Sequence, residues 1–169
     1  MTATRADLHI DRPTVADGAA LWRIAKDSNA LDLNSSYSYL LWCRDFAGTS
    51  AVVRDERGEP VGFVTGYVPP DRPGTLLVWQ VAVDAAQRGR GLAARLLDGL
   101  TERVAAEYDG LTAIETTITP GNTASERLFT SYAERHGATV ERTVLFEAGD
   151  FPDGPHDPEV LYRIGPLSL

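Results

Sequence analysis

Apolar residues recur along the chain with two spacings, and the two spacings alternate from segment to segment. Four segments carry apolar residues three or four positions apart, which predicts helices with one buried face. Seven shorter segments alternate apolar and polar residues or are apolar throughout, which predicts strands. The predicted order is β-α-α-β-β-β-α-β-α-β-β. This order indicates an α+β fold whose mixed central sheet of seven strands has helices on both faces.

The predicted helices are bounded by residues that favour helix ends. Thr14 and Asp17 have the spacing of a capping box before the first helix, and Gly137 is a natural stop after the fourth. A polar, irregular bridge, Ser28–Ser35, joins the first two helices. The first helix carries Ala19, Leu21, Trp22 and Ile24, and the others cover about Ser36–Phe46, Leu92–Tyr108 and Asn122 or Thr123 to Arg135.

The fourth predicted strand, Thr75–Val83 (TLLVWQVAV), is nearly continuous in apolar and β-branched residues. This pattern is typical of a central strand that is buried on both faces. Turns such as Asp55–Gly58 separate the other strands. Those strands cover about Leu8–Arg12, Ser50–Arg54, Val61–Val68, Ile114–Thr119, Thr139–Glu147 and Val160–Ile164.

Composition and net charge limit the kinds of partner that we expect this protein to bind. A length of 169 residues fits one domain, residues 1–169, in which only residues 1–5 are expected to be flexible. The formal net charge of −8 argues against a nucleic-acid partner and suits a cationic small molecule. Cys43 is the only cysteine, so we expect a buried thiol and no internal disulfide. We see no signal peptide and no long apolar run, so a cytoplasmic protein without a membrane partner is expected.

A glycine-rich turn, Gln87–Ala93 (QRGRGLA), lies between the fourth strand and the third helix. Such a turn points unpaired backbone N–H groups outward at a helix N-terminus, where they bind phosphate oxygens with the help of the helix dipole. Gly89 and Gly91 let the backbone approach an anion where a Cβ would clash. Arg88 and Arg90 add positive charge. The segment therefore predicts a pyrophosphate site.

Other interpretations of this turn fit less well. A Walker A motif is excluded because no Gly-Lys-Ser/Thr sequence follows the glycines. A Rossmann motif is disfavoured because the glycine spacing differs and only one more strand–helix unit follows. The remaining alternative is an ordinary glycine turn that opens a helix and whose arginines form salt bridges.

The turn resembles the acyl-CoA signature R/Q-x-x-G-x-G/A of the GCN5-related N-acetyltransferase (GNAT) superfamily, and Arg88, Gly91 and Ala93 fill its fixed positions. The order of elements resembles the GNAT fold along nearly the whole chain. This resemblance implies acetyl-CoA as co-substrate and a V-shaped cleft between the fourth and fifth strands. It also implies an acetyl-CoA site formed by Val81, Val83, Arg88, Gly89, Arg90, Gly91, Leu92, Ala93 and Asn122.

One position departs from that superfamily. Many members carry a tyrosine seven residues after the asparagine that opens the fourth helix, and this tyrosine is proposed to protonate the leaving thiolate. Asn122 matches the asparagine, but Phe129 occupies the position of the tyrosine. Tyr132 lies one helical turn further on about the same face, so it is a candidate catalytic acid. Packing on the sheet is the alternative role of Tyr132.

Two segments are more polar than a protein core requires. The first, Leu31–Leu41 (LDLNSSYSYLL), contains Asp32 and Asn34, either of which is a substrate contact, a helix cap or an ordinary loop residue. The second, His156–Glu159 (HDPE), enters the last strand and forms either one wall of a pocket or a solvated loop. Trp79 in the fourth strand fits the core or a ligand contact. A carboxylate in these segments would collect the proton of a reacting amine.

These segments resemble a specific GNAT family, the L-2,4-diaminobutyrate acetyltransferases of ectoine synthesis. The resemblance extends over about Arg12–Arg163 and includes LDLNSSYSYLL, VWQVAVDAAQRGRGLAARLL, TITPGNTASERLF and HDPEVLYR. It implies an acyltransferase that moves acetyl from acetyl-CoA to the 4-amino group of L-2,4-diaminobutyrate. The product, N4-acetyl-L-2,4-diaminobutyrate, is the precursor of the osmolyte ectoine. The resemblance also implies a homodimer, and no metal is expected.

The same resemblance implies which residues surround the diamine, namely Asp32, Tyr37, Trp79, His156 and Glu159. Asp32 and Glu159 would hold the ammonium groups, and one of them would accept a proton, but the residues alone do not decide which. Two alternatives stay open. One is an acetyltransferase of the same fold that acts on another small diamine or amino acid. The other is a CoA-binding module without catalysis, for which Phe129 is the support.

Overall fold

The computed structural model describes residues 8–29 and 31–169. Within these residues it contains seven strands and four helices, in the order predicted from the sequence. The segment 1–5, predicted to be flexible, lies outside the described residues. The elements are β1 His9–Asp11, α1 Gly18–Ser28, α2 Ser36–Asp45, β2 Ala51–Arg54, β3 Pro60–Tyr67, β4 Thr75–Val83, α3 Leu92–Glu107, β5 Ala113–Ile118, α4 Thr123–Arg135, β6 Thr139–Phe146 and β7 Glu159–Gly165.

The seven strands form a mixed sheet with the order β1-β2-β3-β4-β5-β7-β6. Antiparallel pairing joins β1 to β2, β2 to β3, β5 to β7 and β7 to β6. β4 and β5 are parallel, and α3 lies in the crossover that a parallel pair requires. The mixed, seven-stranded GNAT-type sheet predicted from the sequence is therefore confirmed.

The chain divides into two compact units, of which the first comprises the described residues up to Tyr67 together with Gln80–Leu100. Its core is formed where α1 and α2 meet apolar side chains of β2 and β3. Cys43 is buried in this core, as predicted, and burial raises the pKa of its thiol to about 11. The largest side chains of this core are those of Leu21, Ile24, Tyr39, Val52 and Phe63.

A cluster of ion pairs centred on Arg54 stabilises the start of the first unit. Arg54 of β2 donates to Asp11 of β1 at 2.9 Å and to Asp17 at 2.8 Å. The backbone N–H of Thr14 donates to Asp17 Oδ2 at 2.7 Å, so the predicted capping box is present. The capped turn is a short 3-10 turn, Val15–Asp17, and α1 follows it directly.

The second unit comprises Val68–Trp79 and Thr101–Leu169. The parallel pairing of β4 with β5 and the antiparallel pairing of β5 with β7 belong to it. Gly137 ends α4 with a φ of +62°, and Ala138 N donates to Ala133 O at 2.9 Å, which is the predicted helix stop. Its fully buried side chains include Leu76, Ile114, Tyr132 and Ile164.

The burial of β4 differs from the sequence prediction. Its nearly continuous apolar sequence predicted burial on both faces, but only its first two residues follow that pattern. From Leu77 onward, buried and half-buried residues alternate, and the half-buried ones lie on one face of the strand. The register with β5 ends at Val78↔Thr116, whereas β4 continues to Val83. An apolar face that is open to a ligand has the same sequence pattern as one that faces a core, so sequence did not distinguish them.

β6 is exposed along almost its whole length. It lies at the end of the order of the described strands, where it pairs with β7. Among its exposed side chains are three consecutive apolar ones, Val144, Leu145 and Phe146, which are between 43% and 50% exposed. Within residues 8–29 and 31–169, the helices are too short or too polar to span a bilayer.

Candidate active site

The glycine-rich turn follows β4 after a short 3-10 turn, Ala85–Gln87. Gly89 and Gly91 have φ angles of +78° and +70°, in the left-handed region that residues with a Cβ disfavour. A Cβ placed on either glycine would meet no atom within 4 Å, so there is open space beside the backbone at both positions. The turn thus combines the backbone conformation and the access that close approach of an anion requires.

Helix α3 begins directly after this turn. Its first helical hydrogen bond runs from Arg95 N to Gly91 O at 3.1 Å, so the N–H groups that precede Arg95 lie before the hydrogen-bonded ladder. Arg88 and Arg90 are exposed, and the Arg90 side chain donates to the side chain of Gln87. The positive helix end and the arginines together favour an anion such as pyrophosphate. The first turn of α3 contains Leu92, Ala93 and Ala94.

The N-terminus of α4 is capped by Asn122, as predicted, because its Oδ1 accepts a hydrogen bond from Ser125 N at 3.2 Å. One turn further on, Glu126 Oε1 accepts a hydrogen bond of 2.7 Å from the hydroxyl of Tyr162 on β7. Burial, followed by the hydrogen bond to Glu126, raises the pKa of Tyr162, so this hydroxyl stays protonated and continues to donate.

The open face of β4 carries three of the residues predicted to contact ligands. Trp79, Val81 and Val83 are half-buried, whereas Gln80 and Ala82 between them are buried. Because side chains alternate along a strand, these three lie on the same face. A substrate that contacts this face finds apolar surface and, at the end of the strand, backbone groups.

Asp32 lies in the bridge between α1 and α2, outside any helix or strand, and its side chain is exposed. Its backbone carbonyl accepts hydrogen bonds from Gln80 Nε2 at 2.9 Å and from Asn34 Nδ2 at 3.3 Å. The helix that follows is capped by Ser35, whose side chain accepts from Ser38 N. Neither Asp32 nor Asn34 is therefore the cap of α2.

Tyr37 lies in the first turn of α2 and is 66% exposed, the highest exposure among the large apolar and aromatic side chains that stand at the surface of the described residues. Burying such a ring against a ligand removes a large apolar area from water. The exposure is thus compatible with the predicted contact between Tyr37 and a small substrate.

The loop before β7 brings His156 and Glu159 together. A ring nitrogen of His156 and a carboxylate oxygen of Glu159 lie within 4.8 Å of each other, and both residues are half-buried. The His156 ring is stacked on Phe151, with ring centroids 3.7 Å apart and planes at 11°. Stacking on Phe151 restricts rotation of the imidazole ring.

Tyr132 is fully buried, and its hydroxyl donates to Thr101 Oγ1 of α3 at 2.9 Å. Its ring also lies against His136, with a centroid distance of 4.1 Å. Phe129, three residues before it on α4, is buried as well. These contacts support the packing role of Tyr132 more than the role of an acid, because an acid must reach the leaving group.

The side-chain roles of three residues of this region were not predicted. Gln80 and Tyr39 support the Asp32 backbone, and Phe151 supports His156. Gln80 had a signal in the sequence, since a lone amide inside the apolar strand TLLVWQVAV must find a buried partner. Tyr39 and Phe151 had none, because their partners are defined only by the folded chain.

Comparison with known proteins identifies the kind of protein that these features belong to. The model of the acetyltransferase (GNAT) family matches residues 19–133. The L-2,4-diaminobutyric acid acetyltransferase of Streptomyces coelicolor is 76% identical, over 99% of this chain and 98% of that protein. The protein of the same name from Streptomyces avermitilis is 75% identical, over 99% of each chain.

A solved structure is similar in both sequence and fold. It is the diaminobutyrate acetyltransferase from Paenibacillus lautus in complex with its substrate L-2,4-diaminobutyric acid and coenzyme A. The two chains are 39% identical, with a TM-score of 0.90, over 97% of this chain and 98% of the other. The similarity thus covers the turn before α3, the bridge before α2 and the loop before β7.

Proposed function

Because the chain belongs to the acetyltransferase (GNAT) family and, within it, to the L-2,4-diaminobutyric acid acetyltransferases, we propose that it transfers acetyl from acetyl-CoA to the 4-amino group of L-2,4-diaminobutyrate. The main support for this proposal is the sequence identity, along nearly the entire chain, to relatives of that name. We infer that both compact units act as one acetyltransferase domain, in a cytoplasmic homodimer. The product, N4-acetyl-L-2,4-diaminobutyrate, then serves ectoine synthesis and osmoadaptation.

The donor site that we propose is built mainly from backbone groups. The pyrophosphate of acetyl-CoA binds the N–H groups around Gly89 and Gly91, with Arg88 and Arg90 beside it. The left-handed glycines and the open space next to them support this assignment. The pantetheine arm follows the open face of β4, and the other contacts are made by Val81, Val83, Leu92, Ala93 and Asn122.

The acceptor site that we propose is built from side chains. Diaminobutyrate carries two ammonium groups and one carboxylate at neutral pH, so Asp32 and Glu159 pair with its cationic ends. Tyr37, Trp79 and His156 shape the pocket around the diamine. The closeness of His156 and Glu159 and the exposure of Tyr37 support this assignment.

Proton transfer requires a base for the ammonium group and an acid or donor for the leaving thiolate. Asp32 and Glu159 are the candidate bases, and a ring nitrogen of His156 lies within 4.8 Å of the Glu159 carboxylate. Tyr132 stays the candidate acid, although its contacts favour packing. The 4-amino group is chosen by placement, because the 2-amino group is usually the less basic and would otherwise react more easily.

An amine panel tests the proposal. Thiol release from acetyl-CoA is measured with diaminobutyrate, ornithine, lysine, spermidine and diaminopropionate, and the position of the acetyl group is assigned by NMR. We expect diaminobutyrate to exceed ornithine, which has one more methylene, about tenfold or more in kcat/KM. We also expect the rate to be unchanged by a metal chelator, although a histidine and a carboxylate are ligands that metals accept.

The outcomes of this panel separate the alternatives. If ornithine or another amine has the higher kcat/KM, the chain is an acetyltransferase with a different acceptor. If no amine releases thiol while coenzyme A still binds, the chain is a non-catalytic module. Acetylation at the 2-amino group would contradict the proposed placement of the substrate.

A further inference from the structure

A buried chain of hydrogen bonds in the first unit ends on the backbone of Asp32. The Tyr39 hydroxyl donates to Gln80 Oε1 at 2.8 Å, and Gln80 Nε2 donates to the Asp32 carbonyl at 2.9 Å. Tyr39 is 0% exposed and Gln80 is 6% exposed. Buried polar groups are costly unless they are hydrogen-bonded, so these contacts hold the phenol and the amide in fixed positions.

The chemistry of the three groups determines which atom donates and which atom accepts in each of these two hydrogen bonds. The Asp32 carbonyl only accepts hydrogen bonds, so the Gln80 amide must present its nitrogen to it. Its oxygen then faces Tyr39, whose hydroxyl must donate. Without that hydroxyl, Gln80 loses the partner that sets its orientation, and a buried acceptor is left unpaired.

The position of the Asp32 backbone depends strongly on these two hydrogen bonds. Residues 32–35 belong to no helix or strand, so no regular backbone hydrogen bonding fixes the segment. The Asp32 carbonyl is instead held from the buried side by Gln80 and, with a longer contact of 3.3 Å, by Asn34. Gln80 precedes Val81 on β4, in the strand that we propose for the pantetheine arm of the donor.

We propose that Tyr39 and Gln80 are positioning residues of the acceptor site. They fix the Asp32 backbone beside β4 and so set where the Asp32 carboxylate stands relative to the reacting amine. Neither side chain touches a substrate, and both act through Asp32. This inference rests on the proposed function, because it takes Asp32 as a residue of the diaminobutyrate site.

The test is steady-state kinetics of the full chain with Tyr39→Phe, Gln80→Leu and the double variant, with each substrate varied in turn. We expect the KM for diaminobutyrate to rise about tenfold, whereas the KM for acetyl-CoA stays within about twofold. The KM of the double variant should rise by less than the product of the two single effects, because both single changes break the same series of hydrogen bonds.

A matched control separates positioning from general loss of stability. Thr49→Val removes another buried hydroxyl of the first unit, which donates to Gly66 O at 2.6 Å. This variant should lower the thermal midpoint and leave the KM for diaminobutyrate unchanged. If Tyr39→Phe does not fold, Gln80→Leu, which removes the hydrogen bond to the same Asp32 carbonyl, decides the question by the same KM.

The results that would overturn the positioning role differ from those that would overturn the proposed function. An unchanged KM for diaminobutyrate in folded Tyr39→Phe, with wild-type turnover of diaminobutyrate intact, overturns the positioning role. An equal rise in KM for Thr49→Val overturns it as well. If the wild-type chain prefers another amine in the panel, the proposed function fails, and the same variants then test positioning with that amine.

Discussion

Gly89 and Gly91 show how much of the proposed donor site depends on single residues. Both have left-handed backbone conformations and open space where a side chain would be. Gly58 has the same two properties, with a φ of +82°, but it lies in the turn between β2 and β3. The chain thus supplies its own comparison between a glycine in an ordinary turn and the glycines of the proposed pyrophosphate site.

We expect Gly91→Val to weaken acetyl-CoA binding about tenfold or more, because the side chain fills the space proposed for the pyrophosphate. Gly58→Val introduces a comparable backbone strain and should leave the Kd within about twofold. Calorimetry with acetyl-CoA measures both values. Equal affinity of Gly91→Val and wild type would contradict the proposed pyrophosphate site.

Glu159 provides a second test at the residue scale. We expect Glu159→Gln to lower kcat/KM for diaminobutyrate about 100-fold, because it removes a charge that binds the amine or accepts its proton. The KM for acetyl-CoA should not change. Glu56→Gln, the same replacement in an exposed turn, is the control. A near-wild-type rate for Glu159→Gln would remove this residue from the site.

Tyr132 links two elements of the second unit, since its hydroxyl joins α4 to Thr101 of α3. We expect Tyr132→Phe to destabilise the fold by about 1 kcal/mol, the usual cost of one buried hydrogen bond, and to leave kcat within about twofold. Thermal unfolding and a pH–rate profile measure the two effects. A fall in kcat of tenfold or more, with a changed alkaline limb, would instead identify Tyr132 as the acid.

Arg54 links the elements at the start of the first unit, since it contacts both Asp11 of β1 and Asp17 of the capped turn. Burial raises the pKa of Asp17, but hydrogen bonds from Arg54 and from the Thr14 backbone outweigh it, so the net pKa lies below the usual 3.8. A carboxyl group with a lowered folded pKa contributes stability above its unfolded pKa and loses it as pH falls through the folded pKa.

We therefore expect Asp17→Asn to lower the free energy of unfolding by about 3 kcal/mol at pH 7, because one partner of a buried pair is lost. The difference from wild type should shrink as pH falls below about 4. The difference in stability is measured from the thermal midpoints of both proteins between pH 3 and pH 7, at intervals of about half a pH unit. A difference that is the same at every pH would contradict the role of the ionised pair.

The order and type of the elements were predictable because each depends on residues close together in sequence. β4 begins and ends at the predicted residues, and the predicted cap at Asn122 and stop at Gly137 are both found. The two-sided burial predicted for β4 was wrong, since a ligand-facing apolar surface and a core have the same composition. The contact between Tyr39 and Gln80 was not predictable either, because 41 positions separate the two residues.

At the scale of the sheet, the edge strand β6 is exposed and carries apolar side chains. An exposed edge strand presents unpaired backbone groups as well as its side chains, so it is a natural place for another chain to bind. Residues 144–146 of β6 form such a surface. We propose that a second copy of this chain covers it, in the homodimer that the family resemblance implies.

Light scattering tests this proposal. We expect a mass of about twice the 18.3 kDa of one chain. Val144→Lys should shift the equilibrium to monomers, because it places a charge in the proposed interface. Val15→Lys alters a valine of nearly equal exposure, 51% against 50%, outside β6 and should remain dimeric. A monomeric wild type, or a dimer that Val144→Lys does not affect, would contradict β6 as the interface.

The turn before α3 has a consequence for how such an enzyme changes over time. A donor that is held by peptide N–H groups does not depend on the identity of most neighbouring side chains, whereas the proposed acceptor site is made of side chains at Asp32, Tyr37, His156 and Glu159. Substitutions in the bridge and in the loop before β7 can therefore alter which amine is accepted while the donor site keeps working. The proposed donor and acceptor sites can therefore change independently, and a new acceptor does not require a new acetyl donor.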